Sequence, residues 1–471
     1  MAFRYTLDEA CQISFVGGDA LLATPRGPLP IRSLAPVHER VLRRLAGTAT
    51  TREALVDIAI DDTSRAWVNM TLDRLVGLGF VTRVIGDPGL ASVVVTAAGN
   101  DIRGAAVKGR DTVVLDRFSY LRADRGRILL ESPRSRSKVV ILDAAIASLL
   151  TRLATAAVVE VAAAESGIAL SEACELLSVL ASEGYVTVDP GRDRSEWREW
   201  SFHDAMFHAR SRSGRHSYPY GATYARAAER DPLPAAKERP AGRVVELPTV
   251  DLERISREDP PFAAVLESRQ SWRMPGARSL SIDELGEFLY RSARIRGRRG
   301  TEREEVSNRP YPGGGADYEL EITLLAHRID GLAKGLYAYD PLDHVLVQIS
   351  DWSPAVEELA ADVASKTSVD QVPDATFLVT ARMGRLTYKY ESIPYAVALK
   401  DVGALFGTWY LTATAMGLAP CAIGGGDSEM LASITGVPAF QEPRVGEFIL
   451  NTQHPDEVRG PLPPERVSRT R

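Results

Sequence analysis

Two stretches of this chain end on nearly the same phrase, LVGLGFVTRV at 75–84 and LASEGYVTVD at 180–189, and what precedes each phrase matches as well. A repeat of that length means one supersecondary unit used twice, which constrains the front end more than any composition figure does. In the first copy, QISFVGGDALLATPRGPLPIR (12–32) reads as two short strands about Gly17-Gly18-Asp19, with a further turn at Pro25-Arg26-Gly27. Helical patterns follow over 37–45, 51–60 and 64–78; Gly79 stops the last, and FVTRVI reads as a strand. The second copy keeps that order. YLRADRGRILLESPRSRSKVVI (120–141) gives a hairpin, then 144–153, 155–164 and 171–183 give helices, Gly184 stops the last, and YVTV closes the unit.

Strands and three helices in this order predict winged-helix-like modules at 1–100 and 111–189. The common use of that shape is DNA binding, but charge opposes it. Acidic and basic side chains balance over 1–100, and 111–189 is slightly acidic, so the electrostatic contribution behind non-specific DNA affinity is missing. The short basic run Arg134, Arg136 and Lys138 reads as a solvated wing. Over the whole chain the net charge is −6, which points to no polyanion partner. Cys11, Cys174 and Cys421 are far apart, a set that fits a reducing cytoplasm rather than a disulfide framework or a metal cluster. The start, MAFRYTLDEACQIS, has acidic residues where a signal peptide needs an apolar core. Val402–Gly426 carries no charge, yet its glycines, threonines and Pro420 suit a helix in a large core better than a membrane span.

Composition shifts to Arg, Pro, Gly and Ser from Asp189 to Pro261, so 190–261 reads as a linker and domain-wrapping segment. PLPAAKERPAGRVVELP within it reads as an extended connection. EWSFHDAMFHARSRSG differs: His203 and His208 stand at i, i+5, a poor spacing for a metal pair, and the aromatic residues predict packing against the following domain. From 262 to 471 the pattern mixes helices (262–268, 281–291, 353–364, 394–418, 428–434) with strands (318–328, 335–339, 344–349, 374–381, 445–450). That mixture predicts an α+β domain. No G-x-G-x-x-G follows a strand, so a dinucleotide fold is not expected.

Four pieces of this domain carry chemistry. RQSWR (269–273) sets two guanidiniums around a hydroxyl, a donor set that suits a phosphate. RPYPGGGADYELEI (309–322) opens a strand with three glycines, which lets backbone amides approach a flat ligand. Lys389 and Tyr390 precede the long, nearly uncharged helix, and APCAIGGGD (419–427) supplies a second glycine run at its end.

Together these pieces resemble the FMN-dependent nitroreductase superfamily, and within it the SagB-type azoline dehydrogenases. The resemblance runs from about Trp197 to Val458 and includes GLYAYDPLDHVL, YKY and LTATAMGLAPCAIGGGD. It implies a nitroreductase-like FMN domain that oxidises thiazolines and oxazolines to thiazoles and oxazoles in a ribosomally made antibiotic precursor peptide, with oxygen as reoxidant. On this resemblance Arg269, Ser271 and Arg273 hold the FMN phosphate and ribityl chain, and Pro312, Gly313, Gly314 and Gly315 flank the isoalloxazine. Gly424 and Gly425 form the late glycine loop, and Lys389 and Tyr390 are catalytic. Two departures stand out: Gly313 replaces a common serine, and Ala404 follows Gly403 where many members have histidine. The front modules resemble PqqD-like elements that bind leader peptides. The implied partners are the precursor peptide, a cyclodehydratase and a second copy of the chain, with no nucleic acid and no membrane. An NAD(P)H-dependent nitro or quinone reductase and a non-catalytic peptide-delivery scaffold are the alternative readings.

Aromatising an azoline removes a hydride and a proton, so a base must reach ring carbon. Neighbouring residues point apart on a strand and about 100° apart on a helix. Lys389 and Tyr390 can therefore serve one substrate only at a bend, with one as base and the other tuning it.

Overall fold

The computed structural model describes residues 3–457 except 25–26, 86–90, 96–105, 125, 136, 190–196, 213–219, 368 and 370, with 91–95 described as backbone. Arg136, the turn residues Pro25 and Arg26, parts of the 190–261 segment and the tail beyond 457 lie outside the described residues. The chain divides into two compact units, Met1–Gly221 and Ala222–Arg471.

In the first unit the repeat is literal. One copy runs β1 (Arg4–Leu7), β2 (Gln12–Val16), β3 (Asp19–Thr24), β4 (Gly27–Ile31), α1 (Pro36–Leu45), β5 (Thr50–Thr51), α2 (Arg52–Val56), α3 (Asp62–Gly77) and β6 (Val81–Ile85). A strand β7 (Ala91–Val95) follows. The other copy runs β8 (Thr112–Leu115), β9 (Tyr120–Asp124), β10 (Arg127–Glu131), β11 (Ser137–Ile141), α4 (Ala144–Arg152), β12 (Ala157–Val158), α5 (Val159–Ser166), α6 (Leu170–Ser182) and β13 (Val186–Val188). Each first strand lies antiparallel between two later ones, β5-β1-β6 and β12-β8-β13. The stretch read as two strands at 12–32 is a three-stranded meander.

The repeated phrase has a mechanical cause. Gly79 (φ 74) and Gly184 (φ 81) leave their helices in the left-handed conformation, and the amides of Phe80 and Tyr185 reach back to the carbonyls of Leu75 (2.9 Å) and Leu180 (2.8 Å). This is a Schellman exit, which delivers a buried aromatic ring and then a strand. Strand β7 pairs with β6 on one side and β11 on the other, so strands of both copies share one seven-stranded sheet.

A helix α7 (Phe202–Arg210) carries the aromatic segment, and part of that segment meets the second copy. The Phe202 ring meets Tyr120 edge-on at 5.7 Å, and Arg117 donates to the carbonyls of Trp197 and Trp200. Arg134 is not a solvated wing residue: it pairs with Asp116 and covers the Trp197 ring at 5.4 Å.

In the second unit the elements are β14 (Arg243–Glu246), α8 (Leu252–Glu258), α9 (Phe262–Ser268), β15 (Leu280–Ser281), α10 (Ile282–Ala293), β16 (Gly297–Gly300), β17 (Glu305–Asn308), β18 (Leu320–Ala326) and β19 (Ile329–Asp330). Then come β20 (Gly335–Asp340), β21 (Val345–Asp351), α11 (Pro354–Ser365), β22 (Ala375–Ala381), α12 (Met383–Lys389), α13 (Pro394–Ala415), β23 (Leu418–Ile423), α14 (Ser428–Thr435) and β24 (Arg444–Thr452). The main sheet, β14-β21-β20-β18-β22-β24-β23, is antiparallel throughout. Helix α13 covers one face, where fully buried Trp409 sits among the rings of Phe288, Phe377, Phe406 and Phe448. Leu359, Val363 and Leu431 from α11 and α14 cluster with Leu336, Leu378 and Ile449 on the other face. No helix among the described residues is long and apolar enough to cross a membrane.

Two sequence readings change here. The uncharged run is not one helix: α13 stops at Ala415, Gly417 turns with φ 66, and Leu418–Ile423 becomes a sheet strand. The supposed connection at 232–248 is structural. It supplies edge strand β14, and its carbonyls at Leu233 and Pro234 accept from buried Arg385 and Arg382.

Candidate active site

Helix α12 ends at Lys389, and Tyr390 takes an extended conformation (φ −111, ψ 134), so the backbone bends between the two residues. Pro394 then opens α13, where a missing N–H costs nothing. The bend is fastened from the side. Ala222 bridges Tyr390, and the amides of Thr223 and Tyr224 both donate to the Lys389 carbonyl, at 3.0 and 3.1 Å.

The Lys389 side chain is buried and saturated. Its Nζ donates to the Gly315 carbonyl (2.8 Å) and to Asp317 Oδ1 (3.3 Å), and it pairs with Glu304 Oε1 at 2.9 Å. Three acceptors for three N–H groups describe an ammonium, not a free amine. Burial works to lower its pKa, but the Glu304 hydrogen bond and the charges of Asp317 and Glu304 outweigh it, and the net shift is upward. Tyr224 donates to the same Glu304 oxygen at 2.9 Å. Burial raises the Tyr390 phenol, with the Lys389 charge pulling it the other way.

Both side chains converge on Gly315. This residue has φ +63, and a Cβ there would lie 2.3 Å from the Tyr390 hydroxyl and 2.9 Å from Lys389 Nζ. The neighbouring glycines are equally committed. A Cβ on Gly314 would meet Val397 at 2.5 Å, and its amide donates to Asp401 Oδ2 at 2.7 Å. A Cβ on Gly313 would press on the Tyr318 ring at 3.0 Å, so a larger residue there needs that ring to give way. Pro312 is exposed at the loop's rim.

A second cluster forms around Tyr410. Its hydroxyl lies 2.9 Å from Ser271 Oγ and accepts from the Ala422 amide at 2.8 Å, while the Arg269 guanidinium covers its ring at 5.4 Å. The Trp272 amide donates to the Pro420 carbonyl at 2.9 Å, which fixes the Arg269–Arg273 segment along β23. Arg269 and Arg273 are exposed, and so are Gly424 and Gly425, where a Cβ would meet nothing within 4 Å. The result is an open surface of guanidinium, hydroxyl and bare backbone.

The two clusters lie at different positions along one helix. Asp401, against the glycine loop, and Tyr410 both belong to α13; their separation along the sequence corresponds to about 13.5 Å of rise and roughly half a turn in phase. They face opposite sides of the helix. Sequence reasoning missed Tyr224, Glu304, Asp317, Glu319, Asp401 and Tyr410. The alternating acids of ADYELEI were a visible signal, since a strand in a core has no use for charge on one face unless it is paired.

Residues 289–446 match the nitroreductase family. Residues 113–217 match the family described as cyanobactin oxidase ThcOx. A Methanocaldococcus jannaschii protein named as a nitroreductase is 28% identical over 183 residues, 39% of this chain and 85% of that one. Among solved structures, one from Anabaena variabilis named as a nitroreductase is 22% identical with a TM-score of 0.36; the match covers 52% of this chain but only 45% of that one. The Escherichia coli microcin synthetase McbBCD complex with truncated pro-MccB17 bound is 18% identical with a TM-score of 0.33, over 53% of this chain and 91% of that one. A Desulfovibrio desulfuricans nitroreductase structure in complex with FMN is 12% identical with a TM-score of 0.28, over 44% and 93%.

Proposed function

We propose that the protein is an FMN-dependent azoline dehydrogenase that converts thiazolines or oxazolines of a ribosomally made precursor peptide to thiazoles or oxazoles. The observation that carries this reading is the convergence of Lys389 and Tyr390 on Gly315, a place where the loop presents no side chain of its own. Its setting, a nitroreductase-family match in the same chain as a ThcOx match, supports it.

The residues present fit FMN. Exposed Arg269 and Arg273 with Ser271 suit the phosphate and ribityl chain, and the open backbone at Gly424 and Gly425 admits a polar ring edge. Gly313–Gly315, with Pro312 at the rim, offer a flat backbone surface. When bound, FMN would supply the two-electron acceptor for a hydride from the ring. The chain's own residues handle the proton. Lys389, whose N–H groups are all engaged, stays charged, so the base is Tyr390, and the ammonium stabilises the phenolate beside it.

Because the two clusters face opposite sides of α13, the complete site takes a second copy of the chain. Tyr395, Leu399, Gly403 and Gly407 recur every four residues as an exposed ridge on that helix, and the glycines permit close approach. The repeats of the first unit would hold the leader of the peptide at a sheet edge, and a cyclodehydratase would supply the azoline.

The test is direct. Protein loaded with FMN and given a leader-bearing thiazoline peptide should yield a product lighter by two hydrogens. An unchanged peptide alongside rapid NAD(P)H oxidation would replace this reading with a reductase.

A further inference from the structure

Beneath the glycine loop lies a pair of acids that the proposed chemistry does not use. Glu319, just ahead of β18, is fully buried, and Asp401 of α13 is nearly so. Their side chains lie within hydrogen-bonding reach of each other. Neither oxygen of Glu319 has a donor among the described residues. Asp401 Oδ2 accepts the Gly314 amide at 2.7 Å. Two touching carboxylates supply no donor between them unless one keeps its proton.

The surrounding groups do not remove that need. Arg309, ahead of the loop, directs its Nη atoms at the carbonyls of Leu320 and Tyr318, both at 3.4 Å. Lys400 is exposed on α13, Asp317 adds negative charge, and Tyr311 and Tyr390 present neutral phenols. We propose that Glu319 and Asp401 share a single proton, and that this acid pair is a positioning device that pins the Gly313–Gly315 loop through the Gly314 amide. The shared proton stands apart from the flavin reading; the effect on flavin rests on it.

Burial, and for Glu319 also the neighbouring Asp401, raises both carboxyl pKa values. A carboxyl raised in the folded state holds a proton that the unfolded chain has already released. Stability therefore falls as pH rises from the ordinary carboxyl range near about 4 through the raised value, and levels off above it.

Glu319→Gln and Asp401→Asn each supply a permanent N–H where the shared proton sits. Thermal unfolding of the flavin-free chain, followed from about pH 5 to about pH 9, should show the native midpoint falling more steeply than either variant's, so that the variants gain on it in alkali. Curves that run parallel in both variants would overturn the shared proton. In the second arm, FMN affinity of the native chain should weaken about tenfold between about pH 6 and about pH 9, and that of Asp401→Asn by less than about threefold. Equal weakening in both would overturn the positioning role. A chain that binds no FMN at any pH defeats the flavin reading alone, because the unfolding arm still decides the pair. If one variant does not fold, the other carries the test.

Discussion

Tyr390→Phe lowers turnover of an azoline peptide by about 10²–10⁴-fold while FMN stays bound, because it deletes one hydroxyl and no packing. The hydroxyl occupies the space a Cβ on Gly315 would enter, so its loss removes the base and leaves the loop as it is. Lys389→Met reaches a similar loss of rate by another route. It strips the ammonium from Glu304 and Asp317, two buried acids, and lowers stability by about 3–5 kcal/mol as well. Turnover with saturating FMN and peptide, measured beside a denaturation curve for each variant, separates the two effects. The native rate should also climb with pH, since a base must be deprotonated and burial holds this phenol above its ordinary value near about 10. Rates within about threefold of native in both variants would remove the pair from the chemistry.

The second large effect is a loss of colour. The double change Arg269→Ala, Arg273→Ala weakens FMN binding by about 10²–10⁴-fold, on about 1.5–3 kcal/mol for each hydrogen bond to a charged group. Both side chains are exposed, so folding is little affected, and Ser271 keeps its contact with Tyr410. The visible absorption of the purified chain, taken again after added FMN and desalting, reads the result. A variant that retains a stoichiometric flavin band would move the phosphate site elsewhere.

What the sequence disclosed and what it hid follow from how local each cause is. The repeat was legible because a Schellman exit favours a glycine at one position and an apolar residue at the next, and both copies write that pair, as Gly79-Phe80 and Gly184-Tyr185. Helix α13 was legible from Pro394 and the uncharged run from Val402 onward. Its end was not, because a strand in the middle of a core looks as apolar as the helix before it, and only the left-handed Gly417 separates them. Helix α12 is short and carries two cations, so it offers no apolar stripe. The bend at Lys389 and Tyr390 was foreseen as a requirement, but the residues that fasten it, Ala222 to Tyr224, lie far away in the chain, in a stretch whose composition reads as linker. Alternation marks Asp317 and Glu319 as unusual for a core, but their partners Lys389 and Asp401 lie far along the chain and are set only by the fold.

The half-turn between Asp401 and Tyr410 has a genetic consequence. On the homodimer reading, each site takes its glycine loop and Lys-Tyr pair from one chain and its arginines from the other. Two alleles broken in different halves would then complement each other. Chains carrying Tyr390→Phe and chains carrying Arg269→Ala with Arg273→Ala, each inactive alone, would on random mixing leave about a quarter of all sites intact. Two alleles broken in the same half would give nothing back.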